Sequence, residues 1–93
     1  NTLFQVSIYY GRGVTMRKYQ RIRDLREDLE MNQTQFAKIL GMSQTGYSKY
    51  ETGENDIPTE ILLKIADYHN TSVDYILGRT DVKTPYPKVQ GRS

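Results

Sequence analysis

Apolar residues recur along the middle of this chain at helical spacing, in five short blocks separated by residues that cap or stop helices. Ile22, Leu25 and Leu29 stand at i, i+3 and i+7, which predicts an amphipathic helix with its bases on the rest of the cylinder. Asn32, with Gln35 three positions on, makes a capping-box-like pair for a second helix. In that helix Phe36, Ala37 and Leu40 share a face, and Gly41 supplies a left-handed stop. Ser43 caps a third helix with Tyr47 and Tyr50 inward and Gly53 at its end. Pro58-Thr59 opens a fourth, in which Ile61, Leu62, Ile65 and Ala66, with Tyr68 as a further candidate, face the core before Asn70 ends it. Ser72 caps a fifth, carrying Val73, Ile76 and Leu77 and closed by Gly78. Five short helices joined by tight turns predict a compact all-α domain.

The pattern changes at both ends. Phe4, Val6 and Ile8 alternate as in a strand, Gly11-Arg12-Gly13 breaks the run, and the helical pattern starts directly after Met16. Residues 1–15 are therefore expected to be an upstream extension or arm, with a genuine short edge strand as the other reading. The helical domain is bounded at 16–79. Residues 80–93 carry Pro85, Pro87 and Gly91 and few apolar residues, and are expected to form a flexible tail.

Composition narrows the function class. Ninety-three residues without cysteine make one domain with no disulfide staple, which fits a reducing cytoplasm. No apolar run approaches the roughly 18 residues of a membrane span. The expectation is a soluble cytoplasmic protein that does not engage a membrane. The chain has one histidine, no metal-ligand cluster and no glycine-rich phosphate loop, so neither an enzyme nor a cofactor is expected. His69 reads as a favourable charge at a helix C-terminus, and the tyrosines as core residues with a polar tip. The net charge of +2 conceals an asymmetry. Residues 16–49 hold seven bases against four acids, a balance of +3, and residues 50–81 hold two against seven, a balance of −5. One side is suited to face a polyanion and the other to face away from it.

The informative stretch is Gln33 to Thr52, two helices of about eight residues around a turn that starts with glycine. Small Ala37 sits where the helices approach closely, and the second helix is expected to stand proud enough to enter a groove. With Tyr47 and Tyr50 inward, Gln44, Thr45, Ser48 and Lys49 are left on its outer face. Gln pairs with adenine N6 and N7, Lys donates to guanine O6 and N7, and the Thr methyl meets a thymine methyl. The free amides at the start of the second helix, beside Gln33 and Thr34, favour an anion. An ordinary wet helix face is the alternative for the first four residues, and solvated charge for Arg17, Lys18 and Arg21. Gly46, in mid-helix, reads either as room for a DNA backbone or as simple tolerance.

Here the chain resembles the lambda-repressor-like family, the Cro and Xre type of helix-turn-helix protein, over residues 17 to about 79. The markers are Arg26, Gln33, Ala37, Gly41, Ser43, Tyr47, Glu51-Thr52-Gly53, Pro58, Leu62-Leu63-Lys64-Ile65-Ala66 and Ser72-Val73-Asp74-Tyr75-Ile76-Leu77-Gly78. The resemblance implies a small sequence-specific transcriptional regulator, expected to be a repressor, with its third helix in the major groove. It implies base contacts from Gln44, Thr45, Ser48 and Lys49, and phosphate contact from Gln33; Thr34, Ser43, Arg21 and Asn55 are further phosphate candidates. It also implies a structural salt bridge between Arg26 and Glu51. The chain departs from the family in the loop Gly53-Glu54-Asn55-Asp56, where two acids stand in place of the usual bases. A homodimer on a pseudo-palindromic operator is expected, joined through the fifth helix (Val73, Tyr75, Ile76) or the N-terminal arm. The rival class is a protein-docking helix-turn-helix module, such as an antitoxin or a polymerase-interacting partner. It is disfavoured because the outer face of the third helix offers no apolar hot spot.

Overall fold

The computed structural model describes residues 8–10, 14–16 and 18–89 of the chain. Five helices follow one another as the spacing predicts: α1 (Gln20–Asp28), α2 (Gln33–Leu40), α3 (Gln44–Thr52), α4 (Thr59–Tyr68) and α5 (Val73–Ile76). They are preceded by a small antiparallel hairpin of β1 (Ile8–Tyr10) and β2 (Val14–Met16), paired Ile8 with Met16, Tyr9 with Thr15 and Tyr10 with Val14. The edge-strand reading thus describes residues 8–10, and Met16 belongs to a strand. Phe4, Val6, Arg17 and the Gly11-Arg12-Gly13 break lie outside the described residues.

The helix boundaries follow from local chemistry. Asn32 accepts from the Gln35 amide while the Gln35 side chain accepts from the Asn32 amide, each at 2.8 Å, so the capping box closes both ways. Ser43 and Ser72 accept from Gly46 and Tyr75 in the same manner, each at 3.0 Å. Gly41 and Gly53 end α2 and α3 at φ of 75° and 82°, the left-handed region in which a Cβ is costly.

One core joins all five helices: Ile22 and Leu25 of α1, Phe36, Ala37 and Leu40 of α2, Tyr47 and Tyr50 of α3, Ile65 and Ala66 of α4, and Ile76 of α5, with Tyr19 and Ile57. Phe36 is its hub. Its ring meets Tyr47 edge-on at 5.4 Å, Tyr68 edge-on at 5.4 Å, and His69 in a stack at 5.1 Å. Each large apolar side chain buried here stabilises the fold by about 1.5–3 kcal/mol. Leu29 and Tyr68 depart from the expected inward positions and are half exposed. Leu29 falls at the C-cap, where the chain leaves the helix, and Tyr68 packs edge-on against Phe36 and His69 while the rest of its ring is exposed.

His69 also differs from expectation. It is buried with its Nε2 unpartnered, and burial, helped by Lys83, pushes its pKa down, so it is neutral and not a solvated charge at a helix end. The residues after α5 are not a free tail as far as 89. Arg21 of α1 donates to the carbonyls of Tyr75 at 2.8 Å and Thr80 at 2.5 Å, pairs with Asp81 at 2.7 Å and lies over the Tyr75 ring. Beyond it, Thr71 donates to the Lys83 carbonyl at 2.5 Å, Tyr86 donates to Asp74 at 2.9 Å, and Lys88 pairs with Asp67. Of the α5 residues expected at a dimer surface, Ile76 is wholly buried, and Val73 and Tyr75 are partly buried, with Arg21 over the Tyr75 ring.

Two measurements test this packing. Arg21→Ala should destabilise by about 1–3 kcal/mol, the worth of hydrogen bonds from a charged donor, and should open Arg79 and Lys83 to trypsin. Unchanged melting and cleavage would show that the segment is held by other means. His69, the chain's one histidine, has a folded-state pKa below its ordinary 6.5. Below that pH the unfolded chain takes up a proton that the native state refuses, so stability falls with falling pH. Melting curves between pH 7.5 and 5.5 should show this slope in the native sequence and lose most of it in His69→Gln.

Candidate nucleic-acid interface

The α2–α3 pair is built around a three-residue turn, Gly41-Met42-Ser43, in which the Met42 amide donates back to the Ala37 carbonyl at 3.0 Å. With Tyr47, Tyr50 and Glu51 buried, α3 leaves Gln44 and Thr45 exposed and Ser48 and Lys49 half-buried. Gln44 with Ser48, and Thr45 with Lys49, stand one turn apart on this outer face. Lys49 forms no ion pair among the described residues, so its ammonium remains available. Gly46 has an intramolecular explanation: a Cβ there would lie 3.2 Å from both Met42 Cε and Ser43 Oγ, pressing on the cap that starts the helix.

A hydrogen-bonded chain runs from this face into the core. Arg26 of α1 donates to Glu51 from Nε at 2.6 Å and from Nη2 at 3.0 Å, and reaches the Met31 carbonyl with Nη1 at 2.7 Å. The two side chains are 9% and 3% exposed. Glu51 also accepts from Gln33 Nε2 at 2.9 Å, and Gln33 Oε1 accepts from Gln44 Nε2 at 2.6 Å. A carboxylate can only accept. Glu51 therefore fixes which way the Gln33 amide points, and Gln33 in turn fixes Gln44. Burial works to raise the Glu51 carboxyl, but the hydrogen bonds from Arg26 and Gln33 outweigh it and hold it below its ordinary value. Burial, and then the neighbouring carboxylate, drive the Tyr47 phenol far upward, so it stays neutral. Its hydroxyl has no hydrogen-bond partner among the described residues.

The α2 and α3 N-termini both open toward solvent. Asn32 and Ser43 occupy the third amide of each helix, leaving the amides of Gln33 and Thr34, and of Gln44 and Thr45, without an acceptor among the described residues. Such paired amides at a positive helix end are suited to an anion. The Ser43 oxygen accepts from Gly46 and its hydroxyl proton is still free to donate. Gln33 retains one amide proton, Thr34 is exposed, and the Asn55 side chain is exposed on a loop whose amide donates to the Lys49 carbonyl at 3.1 Å.

Arg21 does not join this face. Its side chain is 8% exposed and committed to the segment after α5, so the sequence-based expectation of a phosphate contact is corrected. The sequence reading also missed the links from Gln33 to Glu51 and Gln44, and the ion pair of Lys18 with Asp56. For Gln33 a signal existed: a glutamine at N1 of the second helix, one turn before the inward face, is within reach of both neighbours.

Residues 22–76 match the model of the helix-turn-helix family. An uncharacterised HTH-type transcriptional regulator of Bacillus subtilis, YobD, is 36% identical over 74 residues, which are 80% of this chain and 64% of the relative. The cryptic phage CTXphi transcriptional repressor RstR of Vibrio cholerae is 39% identical over 64 residues, 69% of this chain and 57% of the relative. The chain thus spans less than two thirds of the length of these curated relatives. Among solved structures, the P22 c2 repressor in complex with a synthetic operator superposes with a TM-score of 0.62 at 32% identity, covering 68% of this chain and 96% of that one.

The buried pair is testable without any ligand. Arg26→Ala should lower stability by about 3–5 kcal/mol, the cost of leaving a buried charge unpaired. Because Glu51 is depressed in the folded state, its contribution is present above the ordinary value near 4.5 and lost as pH falls through the folded value. The stability gap between the native sequence and Glu51→Gln should therefore narrow in acid. An Arg26→Ala protein that melts normally but has lost DNA binding would reassign the pair from scaffold to contact.

Proposed function

The chain belongs to the helix-turn-helix family, and from that premise we propose that it is a sequence-specific, double-stranded-DNA-binding transcriptional regulator that acts as a repressor. α3 enters the major groove, Gln44, Thr45, Ser48 and Lys49 read base edges, and Gln33, Thr34, Ser43 and Asn55 contact phosphate. The observation that carries this reading is the oriented amide of Gln44, held at 2.6 Å by Gln33 on a polar face with no apolar hot spot. The likeness to an operator-bound repressor supports it. The protein functions in the cytoplasm, without catalysis, and binds as a homodimer whose half-sites lie about 34–36 Å apart on a pseudo-palindrome. No described helix is long and apolar enough to cross a membrane. The working unit is the domain of residues 16–79, its helices beginning at Gln20, with the segment after it pinned by Arg21 as a structural continuation.

Selection from a random duplex pool tests the proposal, followed by binding of the enriched sequence at two salt concentrations. The expected result is a palindromic site whose preference over mixed DNA collapses in the Gln44→Ala, Lys49→Ala double variant, with its fold intact. Absence of enrichment would favour a protein-docking module and overturn the proposal.

A further inference from the structure

The loop between α3 and α4 carries Glu54 and Asp56, and the two acids are held differently. Glu54 is exposed and forms no ion pair among the described residues. Asp56 pairs with Lys18 at the head of α1, and Tyr19 of the same turn also donates to Asp56, at 3.4 Å. Tyr19 Oη accepts from the Ile57 amide at 3.3 Å, so the loop is fastened to the start of α1 at Asp56 and at Ile57. The Lys18 stem lies against the end of α3: a Cβ at Gly53 would stand 3.5 Å from Lys18 Cβ. The next turn of the loop returns to α3 through the Asn55 amide and the Lys49 carbonyl.

This places the ion pair next to the C-terminal end of the helix proposed to read DNA. A nine-residue helix is about 13 Å long, and the major groove is about 12 Å wide. With α3 crossing a groove of that width, as the DNA-binding reading has it, its ends come up to the phosphate rows, where an ammonium is of most use and a carboxylate of least. The pair itself is open to water, with side chains 37% and 76% exposed, so it adds little to stability. Its position, and not its strength, calls for an account.

We propose that Asp56 acts as an internal stand-in for a DNA phosphate: it occupies Lys18, withholds that ammonium from the backbone of non-operator DNA, and so determines specificity by keeping non-specific affinity low. The inference rests on the DNA-binding reading. A neutralised Lys18 releases no counterion, and discrimination is left to the base contacts of α3. Arg21 is committed to the segment after α5, so the start of α1 offers mixed-sequence DNA little free positive charge from these two residues.

The test compares Asp56→Asn with Glu54→Gln, which removes the same charge from the same loop without freeing a lysine. The probe is mixed-sequence duplex DNA over a series of salt concentrations, with melting curves to show that each variant is folded. Asp56→Asn should bind more tightly and steepen the slope of log K against log salt by about 0.9, the value for one phosphate gained. Glu54→Gln should give a smaller gain. In a Lys18→Gln background the effect of Asp56→Asn should shrink to that of Glu54→Gln. Equal gains from the two acids, or a full Asp56→Asn gain without Lys18, would overturn the proposal while leaving DNA binding intact. Failure of the native chain and every variant to bind duplex even at low salt would instead remove the DNA-binding reading, and this inference with it.

Discussion

A guanidinium and a carboxylate, buried together where α1, α2 and α3 meet, set the geometry on which the rest of this molecule depends. Arg26 spends its donors on Glu51 and on the Met31 carbonyl, tying the first helix to the last turn of the third and to the connection into the second. Desolvating two charges is expensive, and the close two-point pairing with further hydrogen bonds is what offsets it. That requirement reaches outward: Glu51 takes a third hydrogen bond from Gln33, and Gln33 is thereby aligned with Gln44 at the surface. The core interaction and the exposed face of α3 are one connected set of hydrogen bonds.

The aromatic core supplies what this polar chain lacks, namely bulk and shape. Phe36 stands between Tyr47 on one side and Tyr68 with His69 on the other, joining the α2–α3 pair to α4. Small Ala37 beside it is almost wholly buried, which allows the two helices of the turn to approach. α3 thus has a rigid back even though its front is entirely polar.

Much of this was legible because it is local. Asn32 with Gln35, Ser43, Ser72, Gly41 and Gly53 satisfy or release backbone groups within four residues of themselves, so spacing alone reveals them. The inward positions Phe36, Leu40, Tyr47 and Ile65 follow from helical periodicity. The failures are equally consistent. Arg21 looks like any surface base until a segment nearly sixty residues later folds onto it. His69 looks like a helix-end charge until Phe36, from a different helix, covers its ring. Leu29 continues the α1 repeat on paper but falls where the helix has already ended. Lys18 and Asp56 are separated by thirty-eight positions. Spacing along a chain carries no information about partners supplied by another part of it.

The orientation chain from Glu51 through Gln33 to Gln44 has a consequence for how such a protein can change. Gln44 is held by a donor–acceptor match, so a residue at that position that cannot donate leaves Gln33 Oε1 unpaired at the surface. The neighbour must then adjust, and its own adjustment is limited because Glu51 accepts from it. If this surface reads DNA as proposed, drift in the sequence it recognises is expected to proceed by paired replacements at positions 33 and 44. The buried carboxylate stays unaltered while the lettering above it is exchanged two characters at a time.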